Sequence, residues 1–360
     1  MPERRAYQAI DLFRMVAAFL VIAIHTAPFA SIDPALDDIV TYTLGRIAVP
    51  FFLATTGFFV LGRHRAGSIL ASRSFRSQLG KLATLYAIAT LLYLPITAYA
   101  GNLPDSLFSA VQALVFEGTF YHLWYFPASI LGCVLVALLL DRFGMRISLA
   151  IAAALYLVGM LGDSYYGLAS QADALRSFYD VVFSVSPHTR NGVLFAPLFL
   201  LIGVIASKQV SGSGNEGIRC AGLLASAALL VAEGALVHGL GLDRHDSMYL
   251  MLAPATYFLI VVLARTPLRL NASWARSLSL WIYILHPLCI VLVRGAAKAC
   301  GLTDVVVGNS LVFFAAVCLV SLALSLAAVK AKAAWRRRRL SAAGAPCGAH
   351  GASDAVQRLR

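Results

Sequence analysis

The sequence predicts an all-α, polytopic integral membrane protein with about ten transmembrane helices. Of its 360 residues, 60% are hydrophobic and only 13% are charged, whereas soluble globular domains carry about 25% charged residues. The apolar residues also fall in stretches of roughly 20, the length that crosses a bilayer as a helix. A mean hydropathy of +0.79 agrees with this class. We therefore expect the lipid bilayer to be the protein's environment.

Ten apolar stretches are candidates for membrane spans. They cover residues 9–28, 42–62, 80–100, 122–140, 146–162, 190–207, 218–240, 247–264, 274–295 and 307–329. Three of them, at 146–162, 190–207 and 247–264, are short for a bilayer, so ten is an approximate count. We predict a transmembrane domain over residues 1–330. The basic segment that follows, 331–360, is rich in Gly, Ala and Ser and is expected to be a disordered cytoplasmic tail.

The distribution of basic residues predicts the orientation of the spans. With the N-terminus placed in the cytoplasm, 22 of the 29 Lys and Arg residues fall in inner segments and five fall in outer segments. Cytoplasmic segments of membrane proteins carry such an excess, so we expect a multi-pass protein with both termini in the cytoplasm. This bias also explains the net charge of +12. Because the basic residues are scattered between apolar spans, we expect no nucleic-acid binding.

The first span carries three ionisable residues, Asp11, Arg14 and His25. Ionisable groups inside a span are costly and usually face the protein interior or a water-filled cavity. Arg14 and His25 are eleven residues apart, so on a helix they lie within roughly 20° of one face and about 16 Å apart along the axis. One helix face therefore places an acid–base pair near the cytoplasm and an imidazole deep in the membrane.

These three residues are candidate catalytic residues. A neutral imidazole such as that of His25 can act as a general base toward a hydroxyl. The planar guanidinium of Arg14 suits the phosphate oxygens of a phosphorylated cofactor that arrives from the cytoplasm. Two structural alternatives stay open: Asp11 and Arg14 also fit an ion pair that fixes helix packing, and His25 fits a hydrogen-bonded core residue.

Four further residues are candidates for binding an acceptor substrate: Arg46 in the second span, His122 and Trp124 in FYHLWYF, and His286 in IYILHP. The first three lie near predicted outer ends, and His286 lies at about the depth of His25. Two histidines at one depth favour a polar cavity. As alternatives, Arg46 could reach outward to the interface, and the aromatic run could belong to an ordinary interfacial belt.

The sequence predicts no metal site and no disulfide framework. The six cysteines include no CxxC pair, and most of them lie within apolar spans, as small core residues do. The two membrane histidines lie on different spans and do not have the spacing of zinc ligands within one helix.

Several of these segments, IDLFR…IAIH, GRIAVPFFLATTGFF, HLWYFP and WIYILHP, resemble the acyltransferase-3 family of ten-span membrane acyltransferases over about residues 7–330. The resemblance implies transfer of an acyl group, often acetyl from acetyl-CoA, to a hydroxyl of an extracytoplasmic cell-wall or surface glycan, in a bacterial-type cell membrane. In that family the arginine and histidine of the first span are essential, which implies such roles for Arg14 and His25. Arg46 matches a recurrent arginine of the second span.

A closer resemblance links GTFYHLWYFPASILG, LGDSYYGL, TRNGVLFAPLFLLIG and RHDSMYL to the membrane half of the membrane-bound serine/alanine racemases of glycopeptide resistance. Those proteins add a cytoplasmic racemase domain that uses pyridoxal phosphate. We expect no racemase domain here, because 360 residues leave no room for one beside ten spans. The membrane half is associated with amino-acid supply or uptake. Uptake of a small amino acid such as serine is therefore the alternative function, and a non-catalytic partnership with a separate racemase or cell-wall enzyme is a third.

Overall fold

The computed structural model describes residues 7–62, 67–210, 212 and 215–342, and every regular element within these residues is helical. This confirms the all-α class. The described residues form fourteen α-helices: α1 (Gln8–Thr26), α2 (Pro34–Val40), α3 (Ala48–Thr56), α4 (Arg73–Tyr99), α5 (Leu107–Gln112), α6 (Tyr125–Leu161), α7 (Tyr166–Ala169), α8 (Asp173–Val185), α9 (Ala196–Gln209), α10 (Glu216–Gly239), α11 (Leu252–Arg265), α12 (Ser273–Ala299), α13 (Thr303–Val306) and α14 (Ser310–Ala342).

Seven helical segments of the described chain are long and apolar enough to cross a membrane: Gln8–Thr26, Pro34–Leu61, Arg73–Tyr99, Tyr125–Leu161, Glu216–Gly239, Ser273–Ala299 and Ser310–Arg339. Each of the ten predicted stretches contains helix in the structure, although those at 190–207 and 247–264 begin before α9 and α11 do. However, α9 and α11 have only 14 residues each, or about 21 Å of rise, which is shorter than the roughly 30 Å hydrocarbon core. The protein is therefore a helical membrane protein, and the count of ten crossings is not confirmed.

Helix α6 contains two of the predicted spans. Its 37 residues rise by about 55 Å, which exceeds one bilayer crossing. The helix is interrupted at Gly144, where φ is 70° and ψ is −177°. A side chain would strain this left-handed conformation, and glycine adopts it readily. The interruption lies between the predicted fourth and fifth spans.

The chain divides into two compact units. Unit 1 comprises α1 and α12 to α14. In this unit α12 packs against both α1 and α14, with Met15, Ile22 and Ile282 among the buried residues of the shared core. A hydrogen bond between backbone and side chain also joins the starts of α1 and α12: the amide of Ala272 donates to Oε1 of Gln8 at 2.7 Å. These contacts fix α1 along the side of α12.

Unit 2 comprises α2 to α11 and is built around α9. Ten of the fourteen residues of α9 are buried, and the helix packs against α3, α6 and α11. Two glycines, Gly57 directly after α3 and Gly203 in α9, let these two segments approach closely. A Cβ at Gly57 would clash with the carbonyl of Leu200, and a Cβ at Gly203 would clash with the carbonyl of Ala54. Small residues allow such backbone contact between membrane helices.

Helix α14 continues past the predicted end of the transmembrane domain at residue 330 and ends at Ala342. The first part of the predicted tail is therefore helical, and the guanidinium of Arg339 lies 4.6 Å from the ring centre of Trp335. Residues 343–360 lie outside the described residues. The division of the chain at residue 330 stays a prediction.

Candidate active site

Asp11 is the centre of a charged group at the N-terminal end of α1. Its side chain is 1% exposed, and its two carboxylate oxygens accept hydrogen bonds from Nε and Nη2 of Arg276, each at 2.7 Å. Nε of Arg14 lies 3.6 Å from Oδ1 of Asp11, which is an ion-pair distance and not a hydrogen bond. The main partner of Asp11 is therefore Arg276 of α12, and Arg14 is the second cation beside the same carboxylate.

The group formed by Asp11, Arg14 and Arg276 has one positive charge in excess. The Arg276 side chain is 58% exposed and that of Arg14 is 20% exposed, so the Arg276 guanidinium is accessible, the Arg14 side chain is partly accessible, and the carboxylate is not. Two guanidinium groups held by one carboxylate are preorganised donors, and guanidinium donors suit carboxylate or phosphate oxygens. This end of unit 1 can therefore bind an anion.

His25 and His286 form a stacked pair further along the same two helices. Their ring centroids are 5.2 Å apart and the ring planes differ by 21°. His286 is completely buried. Because Asp11 pairs with Arg276 and His25 with His286, α1 and α12 run in the same direction. We call this arrangement of Asp11, Arg14, His25, Arg276 and His286 the polar line.

Pro287 explains the orientation of the His286 ring. In a regular helix the amide of residue 287 would donate to the carbonyl of Tyr283, but proline has no amide hydrogen. A buried carbonyl needs another donor. Nδ1 of His286 lies 2.8 Å from this carbonyl oxygen and 3.3 Å from that of Ile282. Since a carbonyl oxygen only accepts, Nδ1 carries the hydrogen, and the lone pair of the neutral ring lies on Nε2.

Unit 2 contains a second polar group, formed where α3 begins, where α6 ends, and in the connections before α9 and α11. We call it the unit 2 cluster and define it by six residues: Arg46, Asp163, Arg190, His245, Asp246 and Ser247. Arg46 forms an ion pair with Asp246 through Nη2. Nη1 of Arg190 donates to Nε2 of His245 at 2.8 Å, and Ser247 Oγ lies 2.7 Å from Nδ1 of His245. The neutral His245 ring therefore accepts at Nε2 and donates from Nδ1.

Asp163 anchors the backbone of this cluster. Oδ1 accepts hydrogen bonds from the amides of Ser247 (2.6 Å) and Met248 (3.0 Å) and from Oγ of Ser164 (3.1 Å). Burial raises the pKa of the Asp163 carboxyl to about 7, against the opposing effect of these hydrogen bonds and the nearby arginines. Asp163 therefore fixes the backbone that carries His245, Asp246 and Ser247, as a buried polar network with satisfied hydrogen bonds does.

His245 of the cluster and the neighbouring His188 are held in the neutral form. Burial, followed by the positive charges of Arg190 and Arg46, lowers the pKa of His245, although Asp163 and Asp246 lie within 4 Å of Nδ1. Burial and Arg190 also lower the pKa of His188, to about 4. The His188 and His245 rings meet edge to face with centroids 5.0 Å apart.

The structure places the four predicted acceptor-binding residues in separate surroundings. His286 belongs to the polar line of unit 1, and Arg46 belongs to the unit 2 cluster. Trp124 lies beside that cluster, with the Arg190 guanidinium 5.3 Å from its ring centre. His122 is 1% exposed and lies among aromatic rings, 5.0 Å from that of Tyr93. The substrate-binding roles of all four stay predictions.

A cavity of about 390 Å³ lies in unit 2, and none of the residues that line it was predicted for the site. It is lined by Gly62, Asp141, Gly144 and Lys208 among others. Asp141 accepts hydrogen bonds there from the amide of Ile69 and the hydroxyl of Ser68. In the part of the chain that the structure describes, no group of three or more His, Cys, Asp or Glu side chains could hold a metal ion.

Two features of these polar groups depend on helix packing and cannot be predicted from single spans. Arg276 is one of many basic residues in predicted inner segments, and its pairing with Asp11 depends on how α12 packs against α1. The unit 2 cluster draws Asp163, Arg190 and His245 from three separate connections, each of which looks like an ordinary solvated loop. For the Asp11–Arg276 pair the sequence offers one signal: the first and ninth predicted spans run in the same direction, which places their charged ends and their histidines at similar depths.

The fold and the polar line define a helical membrane protein with a cationic group and a histidine pair along one pair of helices. The chain matches the model of the acyltransferase-3 family, described as an acyltransferase domain, over residues 7–330. It therefore belongs to this family.

The similar curated proteins carry racemase names. Two proteins of Enterococcus faecalis named amino-acid racemase are 40% identical over 80% of this chain and 33% identical over 91% of it. A serine/alanine racemase of Enterococcus gallinarum is 33% identical over 92%. The aligned parts cover 42%, 45% and 47% of those proteins, so the chain spans less than half of their length. No solved structure shows significant similarity.

Proposed function

We propose that the protein is an acyltransferase that moves an acyl group, with acetyl-CoA as the expected donor, to a hydroxyl of an extracytoplasmic acceptor such as a cell-wall or surface glycan. The proposed location is the bacterial inner membrane, with both termini in the cytoplasm. The observation that carries the proposal is the polar line, in which one pair of parallel helices combines a positively charged end with a stacked histidine pair.

The positively charged end is proposed to bind the donor. Arg14 and Arg276 flank the buried carboxylate of Asp11 and leave one positive charge in excess. Guanidinium groups suit the phosphates of an acyl-CoA. Arg14 and His25 are separated by about 16 Å of helix rise. This length suits a donor whose thioester lies at the end of a long pantetheine arm, because the phosphates and the reacting carbon then occupy opposite ends of one line.

His25 is proposed to act as the general base. It takes the proton of the acceptor hydroxyl while the hydroxyl oxygen forms a bond to the acyl carbon. The carbon–sulfur bond then breaks, and the proton on His25 passes to the departing thiolate, so the imidazole returns to its neutral form. The alternative route is a covalent relay, in which the acyl group resides on His25 between donor and acceptor.

The test is acetyl-CoA binding and turnover by the purified protein in lipid nanodiscs. Arg14→Ala should weaken binding with the fold intact. His25→Gln should leave binding near normal and lower turnover by about 10²–10⁴-fold, the usual contribution of a general base. Arg294→Ala, an arginine at the opposite end of α12, and His238→Gln, a histidine of unit 2, are the matched controls. Unchanged binding per folded molecule in Arg14→Ala would assign the Asp11–Arg14 pair a structural role.

The names of the curated relatives favour a second candidate function. A serine/alanine racemase and two amino-acid racemases align with the chain over most of its length, and a membrane part that supplies a racemase would handle a small amino acid. On this proposal the protein takes up an amino acid such as serine, alone or with a separate racemase or cell-wall enzyme, and needs no acyl-CoA. Uptake of labelled serine into proteoliposomes without acyl-CoA distinguishes it from acyl transfer.

A further inference from the structure

His286 is buried completely, yet it contacts the proposed catalytic histidine face to face. A ring with no solvent-accessible surface is poorly placed to bind an acceptor that arrives from outside, which is the role suggested by its place in the sequence. Its interactions include the hydrogen bond from Nδ1 to the carbonyl of Tyr283 and the stack on His25. The hydrogen bond fixes the orientation of the His286 ring, and the stack relates the His25 ring to it.

The hydrogen bond locks the ring against rotation and against a change of tautomer. Pro287 removes the backbone donor of the Tyr283 carbonyl, and Nδ1 of His286 replaces it at 2.8 Å. Rotating the ring or moving its hydrogen to Nε2 would leave that buried carbonyl without this donor, which is unfavourable. The His–Pro dipeptide therefore sets both the plane and the tautomer of His286.

A fixed ring of this kind can hold a second ring in place. The imidazole of His25 lies against it with centroids 5.2 Å apart and planes 21° from parallel, a separation and tilt typical of offset stacking. Helices α1 and α12 are therefore joined at two places: by the Asp11–Arg276 pair near their N-terminal ends and by the His25–His286 stack further along.

We propose that His286 is the positioning residue of His25: Pro287 releases the Tyr283 carbonyl, this carbonyl fixes the His286 ring, and the ring holds the His25 imidazole in the orientation needed for proton transfer. This inference rests on the proposed catalytic role of His25. Misplacement of a reacting group by about 1 Å can cost about 10²-fold in rate, so loss of the fixed ring should lower kcat without changing donor binding.

Three variants separate the parts of this proposal. His286→Phe keeps a flat ring for the stack but loses the N–H donor. His286→Asn keeps an N–H donor near the position of Nδ1 but loses the ring. Pro287→Ala keeps the histidine and restores a backbone N–H to the Tyr283 carbonyl, so the ring is no longer locked. Alanine is a strong helix former, and Pro287→Ala should therefore fold at least as well as the wild type.

The first measurement needs no activity. Nitrogen-15 correlation spectra of histidine-labelled protein in detergent, assigned with the His286 variants, should show the Nδ1-protonated tautomer for His286 in the wild type and a mixture in Pro287→Ala. The ring protons of His25 should carry a ring-current shift that survives in His286→Phe and disappears in His286→Asn. An Nε2-protonated His286 in the wild type, or no change at His25 in the Asn variant, would overturn the inference.

The second measurement is acetyl-CoA turnover at matched folded amounts. We expect kcat to fall about 10- to 100-fold in His286→Asn and Pro287→Ala and less in His286→Phe, with KM for acetyl-CoA unchanged in all three. A kcat for His286→Asn within threefold of the wild type would overturn the positioning role. Absence of turnover in the wild type would refute the proposed function instead, and the spectra would still decide whether His286 positions His25.

Discussion

Replacing Asp11 with Asn removes the carboxylate that holds two arginines of unit 1. The carboxylate is 1% exposed and accepts two hydrogen bonds of 2.7 Å from Arg276, while Arg14 lies at 3.6 Å. The structure therefore predicts unequal coupling energies: Asp11 should be coupled strongly to Arg276 and weakly to Arg14. The sequence alone suggests the opposite, because Asp11 and Arg14 are neighbours on one helix face.

The size of this effect follows from burial. Hydrogen bonds to charged groups each contribute about 1.5–3 kcal/mol, and breaking a fully buried ion pair costs about 3–5 kcal/mol. The Arg276 side chain is 58% exposed, so water can solvate its guanidinium after the carboxylate is gone, which lowers the cost. We expect about 2–4 kcal/mol for Asp11→Asn, a coupling of about 2 kcal/mol between Asp11 and Arg276, and less than about 1 kcal/mol between Asp11 and Arg14.

The assay is a pair of double-mutant cycles on the free energy of unfolding, measured by denaturant titration in mixed micelles. One cycle combines Asp11→Asn with Arg276→Gln, and the other combines it with Arg14→Gln. Arg294→Gln with Asp11→Asn is the control, and its coupling should be near zero. A coupling to Arg14 that equals or exceeds the coupling to Arg276 would refute the geometry of the polar line.

Two other properties can be checked separately. The distribution of basic residues predicts that reporter fusions after Arg76 and Arg339 are cytoplasmic and that one after Asp38 is external, and an external signal after Arg76 would contradict the predicted topology. The lowered pKa of His188, about 4 in the folded protein, predicts that its contribution to stability is present above pH 6.5 and is lost as the pH falls toward 4. Because the raised pKa of Asp163 acts in the opposite direction, the comparison is with His188→Gln: the wild type should lose more stability than this variant between pH 7 and 4, and parallel curves would contradict the assignment.

The helices could be predicted from the sequence because each depends on local composition. Every apolar stretch that the sequence marks contains helix in the structure, and Asp11, Arg14 and His25 fall on α1. The number of membrane crossings was less predictable. Hydropathy does not show that α9 has only 14 residues, most of them buried. A helix that is apolar all round is typical of the centre of a helical unit.

The contacts of the site were harder to predict than its residues. His25 and His286 could be expected to lie at one depth, since two spans carry them at similar distances from their cytoplasmic ends. The partner of Asp11 could not be predicted, because several basic residues of the predicted inner segments are possible partners and only helix packing decides between them. The hydrogen bond from His286 to Tyr283 was predictable in principle. A proline in a helix leaves the carbonyl four residues before it without its usual amide donor. For Pro287 this is the carbonyl of Tyr283, one turn before the His286 side chain.

The most direct test of the account is a paired measurement of acetyl-CoA turnover and serine uptake, in reconstituted wild type and His25→Gln at matched folded amounts. If the polar line is the site of acyl transfer, the wild type releases CoA without taking up serine. His25→Gln, which can form hydrogen bonds but cannot take up a proton at neutral pH, should then lose at least 10²-fold in turnover. Turnover that stays within about tenfold in His25→Gln would contradict the role of His25 as a general base, and serine uptake by a wild type without turnover would contradict acyl transfer itself.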